Sequence, residues 1–230
     1  MILSGVKITG GLQIGTFTNT GIVTSGLTMY LDPAQSSSYP GTGTTWYDIS
    51  GNSTNVTLTG SPTFATNYFS FNGTSQYGTG AGTPLGTTAY TKCFWMQLTS
   101  YGYNNNTLSS SGGGHFSYFG GGNRLFNGHS DWGNYCAYAS ATTFNLNTWY
   151  HVCLTFDTTN GMTLYVNGAL DSTYTAQKTG LPGNGECDIA QFAGGNLLNG
   201  YIGQALCYNR PITATETLQN FNAVRARYGI

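Results

Sequence analysis

Asn167-Gly168 stands between Leu164-Tyr165-Val166 and Ala169-Leu170-Asp171. Asn and Gly best tolerate the two positive φ angles of a type I′ turn, and that turn matches the twist of antiparallel strands. The dipeptide therefore predicts a β-hairpin and commits its surroundings to antiparallel sheet. The rest of the body repeats the rhythm, with short aromatic and β-branched runs separated by turn residues. Strands are expected at 27–31, 56–59, 68–71, 93–98, 115–120, 124–127, 135–138, 150–157, 162–166, 169–174, 187–192 and 201–208. No helical period competes with them before residue 213. A chain of 230 residues patterned this way fits one all-β sandwich, a fold that commonly occupies about 200–250 residues as a single unit.

The two ends differ from this body. Ile2, Val6, Ile8, Leu12 and Ile14 fall on even positions among Gly5, Lys7, Thr9, Gly11 and Gln13. Such period-two alternation predicts an extended arm, broken at Gly10-Gly11, and the Gly- and Thr-rich stretch to Ser25 reads as a linker. An apolar strand ahead of a complete sandwich needs an edge to pair with, either in its own sheet or on a neighbouring subunit. At the other end, Thr213-Ala214-Thr215-Glu216 matches a capping box. Leu218, Phe221, Val224 and Tyr228 then follow at helical spacing, and Arg225 and Arg227 occupy the last turn, where cations complement the helix dipole. A helix docked on the sandwich is expected, with an exposed helix for partner docking as the alternative.

Charge narrows the function classes. Seven Lys and Arg against eight Asp and Glu give a net charge of −1, too little positive charge to neutralise a run of phosphates, so nucleic-acid binding is not expected. Near-neutrality removes self-repulsion and suits a chain that lives in an assembly. The five cysteines, Cys93, Cys136, Cys153, Cys187 and Cys207, lack CxxC spacing and are expected to be free buried thiols of a protein made in a reducing compartment. The start lacks a basic segment followed by an apolar run, and no stretch reaches the roughly 20 apolar residues that cross a bilayer. A soluble, cytosolically made product without membrane insertion is expected.

Four landmarks carry a family resemblance. They are Gly26-Leu27-Thr28-Met29-Tyr30-Leu31-Asp32 with Trp46-Tyr47-Asp48, Asn147-Thr148-Trp149-Tyr150-His151-Val152, Leu164-Tyr165-Val166-Asn167-Gly168, and Leu198-Asn199-Gly200-Tyr201-Ile202-Gly203 with Tyr208-Asn209-Arg210-Pro211. Together they resemble the laminin-G-like branch of the concanavalin A-like lectin/glucanase superfamily. That resemblance implies a two-sheet antiparallel jelly roll over 26–212, its first and last strands adjacent, preceded by an arm and linker over 1–25 and followed by a helix over 213–230. The Ser-Gly-Val-Lys-Ile-Thr-Gly-Gly opening, the Ser38-Tyr39-Pro40-Gly41 segment and the ending from Asn220 to Ile230 resemble virion structural proteins of tailed phages, particularly marine and cyanobacterial ones. The likeness implies a capsid decoration or appendage component, assembled in the host cytoplasm and acting through contacts with other virion proteins and with itself. Ile2, Val6, Ile8, Leu12 and Ile14 would form its interface.

Catalytic and metal signatures are thin. Glucanases of the superfamily carry E-x-D-x-x-E on one strand, because an acid and a nucleophile must flank one glycosidic bond. Here Glu186-Cys187-Asp188-Ile189-Ala190-Gln191 ends in an amide, which is no general acid, so no enzyme is expected. His115, His129 and His151 share no metal-ligand spacing, and His151 reads as a hydrogen-bonded sandwich histidine. Asp32, Asp48 and Asp157 could supply calcium oxygens but read better as strand ends and turn caps. Neither a cofactor nor a metal is expected. The richest segment runs from Tyr101 to Tyr135, where Asn123, Arg124, His129, Asp131, Trp132 and Tyr135 combine the aromatic and short polar groups that hold sugars. The same residues suit a protein interface. A tail-fibre adhesin for host-surface glycan is thus the alternative to an assembly protein.

Overall fold

The computed structural model describes residues 21–102, 105–110, 114–131, 134–176, 178–181 and 185–230. The arm residues Ile2, Val6, Ile8, Leu12 and Ile14 lie outside them. In chain order the strands are β1 (Leu27–Leu31), β2 (Thr45–Trp46), β3 (Val56–Thr59), β4 (Thr63–Ala65), β5 (Tyr68–Asn72) and β6 (Tyr77–Gly80). Next come β7 (Ala89–Leu98), β8 (Leu108–Ser109), β9 (His115–Phe119), β10 (Arg124–Asp131), β11 (Asn134–Thr143) and β12 (Tyr150–Asp157). The last are β13 (Gly161–Val166), β14 (Ala169–Tyr174), β15 (Asp188–Ile189) and β16 (Asn199–Tyr208), followed by α1 (Ala214–Val224) and a 3-10 turn at Arg225–Tyr228.

Eight strands form one sheet in the order β14-β13-β12-β7-β16-β5-β4, with β1 beside the far half of β16. The first and last strands therefore meet as the jelly-roll resemblance implies, Leu31 opposite Ala205 and Tyr30 opposite Leu206. A second layer faces it as two sheets, β2-β3-β6-β15-β8 and β11-β10-β9. Backbone bonds join the two: Thr107 N–H donates to Ser117 O at 2.9 Å and Ser110 N–H to His115 O at 3.0 Å. Alternation aims Trp46, Phe69, Phe71, Phe94, Met96, Leu154, Phe156 and Ile189 into the space between the layers, where all are buried. The Asn167-Gly168 turn forms as expected, with φ of 52° and 78°.

The large sheet's outer face is covered as well. Thr213 accepts from Glu216 N–H and Glu216 bonds back to the Thr213 N–H, so the capping box is present, and Arg210 grips the Glu216 carboxylate at 2.6 Å. The helix lays Phe221, Val224 and the following Tyr228 onto Trp95. Trp95 lies nearly parallel to both flanking rings, its centroid 4.2 Å from Tyr228 and 5.6 Å from Phe221. Residues 21–25, the tail of the stretch read as a linker, run along the same face with Val23 buried. Val23 N–H donates to Asn220 Oδ1 at 2.9 Å, Asn220 Nδ2 donates to Tyr208 Oη at 2.9 Å, and Tyr208 O–H donates to Val23 O at 3.0 Å.

Several expectations need correction. Cys93 and Cys153 face each other across β7 and β12 and form a disulfide, so the cysteines are not all free. Arg225 and Arg227 lie beyond the end of α1, and Arg227 reaches the wholly buried Asp32 at 2.7 Å instead of serving the helix dipole. His151 is buried among Trp95 and Phe221, and neither ring nitrogen has a hydrogen-bond partner among the described residues. Only Asp188–Ile189 of the expected 187–192 strand is extended, because positive φ at Ala190 and Ala193 turns the chain away. Asp32, Asp48 and Asp157 are turn caps as read: each accepts backbone N–H groups of the residues that follow it. Burial pushes the Asp48 carboxyl up, but bonds from Ser50, Tyr30 and Thr54 outweigh it and hold it below its usual range.

Candidate functional site

The segment singled out for binding folds into β9, β10 and β11. His115, Ser117 and Phe119 point inward from β9, and Leu125, Asn127 and His129 from β10; all six are fully or almost fully buried. His129 Nδ1 lies 3.0 Å from Tyr90 Oη and its Nε2 2.7 Å from Thr179 O. His129 is therefore interior, not a surface binding residue, and the expectation for it is corrected. Arg124 folds its guanidinium back over β11 onto the carbonyls of Ser140 and Ala139. Asn123 takes a left-handed backbone with φ of 56° and leads into β10. The side chains of Asp131 and Tyr135 and the whole of Trp132 lie outside the described residues.

Strand alternation turns the intervening residues outward. Tyr118 pairs with Phe126 across β9 and β10, and their rings stack with centroids 5.3 Å apart and planes 14° from parallel. Phe116 continues the row at 5.7 Å from Tyr118, and Phe192 meets it edge-on at 6.2 Å. Gly120 makes room for this row: a Cβ there would stand 2.6 Å from the Phe126 ring. Tyr118, Phe126 and Phe192 keep part of their surface in solvent. Partly exposed planar rings can stack on the C–H face of a sugar or anchor a protein partner.

This row escaped the sequence reading. His115-Phe116-Ser117-Tyr118-Phe119 alternates two aromatic residues with polar ones yet ends on an aromatic at the other parity, so neither face stands out as the core. Lys92 was missed too, although a lone charge in the run Ala89–Leu98 was the available signal. It is wholly buried, and Nζ donates to Phe116 O at 2.8 Å and Leu108 O at 3.2 Å, with His115 Nδ1 at 3.3 Å. Burial pulls its pKa down to about 7, with the thiols of Cys187 and Cys207 acting the other way. Burial, then the charge of Lys92, pushes His115 well below the usual imidazole value.

The candidate carboxylates separate. Asp188 is wholly buried in β15 and its Oδ1 accepts the Gly80 N–H at 2.8 Å, tying β15 to β6. Glu186 lies before the strand, and its backbone carbonyl meets His115 Nε2 at 2.6 Å.

Two antiparallel layers packed face to face, with the first and last strands adjacent, make a jelly-roll sandwich. Residues 71–217 match the family Laminin_G_3, described as the concanavalin A-like lectin/glucanases superfamily, and the chain belongs to it. A search of curated proteins found no match. Among solved structures, the binding domain of Paraclostridial Mosquitocidal Protein 1 is similar at a TM-score of 0.68 and 16% identity, over 87% of this chain and 52% of that one. Trypanosoma rangeli sialidase aligns at 0.65 and 14%, over 89% and 34%. A botulinum neurotoxin type C structure, whose description ties cell entry to interaction with two ganglioside molecules, aligns at 0.65 and 13%, over 88% and 52%. The chain thus spans about half the length of the toxin chains and a third of the sialidase chain. At such identities the likeness is one of fold.

Proposed function

We propose that this chain is a non-catalytic binding module that serves as a structural component of a tailed-phage virion and recognises host-surface glycan. The observation that carries the glycan reading is the partly exposed stack of Tyr118 on Phe126 on the second layer's outer face. A sugar ring laid on either aromatic would bury C–H surface, while loop amides and hydroxyls met its hydroxyls. The relatives in fold support this reading, since they include toxin binding domains and a neurotoxin described with gangliosides. The virion placement, as a capsid decoration or an appendage, is supported by the phage-like opening and ending and by the near-neutral charge. In that setting the arm over 1–25 would hold the module to other virion proteins or to a second copy. Glu186 and Asp188 have no catalytic part in this proposal.

The glycan reading is tested by titrating the protein against a panel of bacterial surface polysaccharides. Millimolar or tighter binding that Tyr118→Ala abolishes is expected; absence of binding to any polysaccharide by the intact protein would overturn it. The virion reading is tested separately by mass spectrometry of purified particles, in which the protein should be present and should be lost from particles when residues 1–20 are deleted.

A further inference from the structure

Two buried thiols stand across the gap between the layers. Cys187 immediately precedes β15 in the second layer, Cys207 belongs to β16 in the large sheet, and their Sγ atoms are 3.2 Å apart. Both are shielded from solvent, at 1% and 0% exposure. Cys93–Cys153 joins neighbouring strands of a single sheet, whereas this pair faces across the sandwich. Lys92, paired with Cys207 across β7 and β16, brings its ammonium group beside the two thiols. His115 Nε2 stands 3.8 Å from Cys187 Sγ. Burial, then the hydrogen bond and charge of Cys187, pushes the Cys207 thiol well above its usual value, and the charge of Lys92 acts the other way, toward the thiolate that is the nucleophile of disulfide exchange.

The geometry points to Cys187 and Cys207 as an oxidisable pair that closes an inter-sheet disulfide when the protein meets a small-molecule disulfide. One cysteine thiolate attacks the oxidant R–S–S–R, giving the mixed disulfide and releasing RS⁻. The second thiolate then attacks the protein sulfur of that mixed disulfide, forming Cys187–Cys207 and releasing the other RS⁻. The two cysteine protons end on two RSH molecules, and the two electrons lost by the cysteines reduce the oxidant's S–S bond. Because both thiols are buried, the step waits for local opening, so closure is slow and the product is protected once formed. The bond would fasten one layer to the other beside the hydrogen bonds that Lys92 of β7 gives to Phe116 O and Leu108 O of the second layer. This inference does not depend on the module's ligand or on where the module is displayed.

The test uses the folded full-length chain incubated with excess oxidised glutathione, followed by alkylation, non-reducing digestion and mass spectrometry. The expected product is a pair of peptides joined through Cys187 and Cys207 that separates on reduction. In a Cys93→Ala/Cys153→Ala background, closure should raise the melting temperature by roughly 5–10 °C. The wild-type peptide map needs no variant to fold and decides the matter by itself. Cys187 and Cys207 both recovered alkylated after prolonged oxidation, or either one joined to Cys136 instead, would overturn the proposal. Lys92→Met should slow closure about tenfold; an unchanged rate would overturn the role given to the ammonium.

Discussion

The two outer faces of this sandwich carry similar residues and treat them in opposite ways. On the large sheet, Trp95 is sealed beneath Tyr228 and Phe221 of the chain's own C-terminal segment. On the second layer, Tyr118 and Phe126 stack on each other and stay partly exposed. Burying a ring stabilises the fold, whereas a stacked ring left half in water contributes less to folding and remains available to a ligand. Aromatic content alone does not mark a binding site in this chain. Partial exposure is what sets Tyr118 and Phe126 apart from Trp95.

Substitutions can break that contrast from the covered side first. Trp95→Ala empties a fully buried ring site between two stacked partners, and should cost about 3–5 kcal/mol of unfolding free energy in a denaturant titration. His151, on the same face, sharpens the contrast through pH. Burial pulls its pKa from 6.5 down to about 3, so the folded state keeps it neutral while the unfolded state takes up a proton as pH falls below about 6.5. Stability is therefore lost progressively from about pH 6.5 down to about pH 3. Replacing the ring with Phe should recover about 2 kcal/mol at pH 5 and change little at pH 8, read from melts at the two pH values.

Smaller effects are expected toward the helix end and on the open face. Thr213→Ala removes the side chain that accepts the Glu216 N–H, and should cost about 1 kcal/mol. Tyr118→Ala should cost under about 1 kcal/mol while eliminating polysaccharide binding. A loss of several kcal/mol at Tyr118, with binding intact, would reverse the assignment of the two faces.

Much of this architecture was legible from the residues. The Asn167-Gly168 turn, the capping box and the meeting of β1 with β16 are local or family signals, each written in a few contiguous positions. What stayed hidden depends on which way a strand faces. Sequence placed His129 beside Asp131 and Trp132 as one polar cluster, but alternation sends His129 inward to Tyr90. The run 115–119 gives no parity by which the outward Tyr118 could be told from the inward Phe119. Arg227 was assigned to the helix end because its partner, Asp32, is 195 residues away. Cysteine pairing was equally invisible, since Cys93 and Cys153 meet only through the register of two strands.

The ring of hydrogen bonds among Val23, Tyr208 and Asn220 has a mechanical consequence. Val23 and Asn220 are 197 positions apart yet share a hydrogen bond, and Gln219 reaches Gly21 O at 2.7 Å beside it. Tension applied between residue 21 and the end of the helix would load this short clasp before any strand of the sandwich. The layers would bear force only after the clasp opened, so a module tugged from both sides would yield first at a joint that can close again.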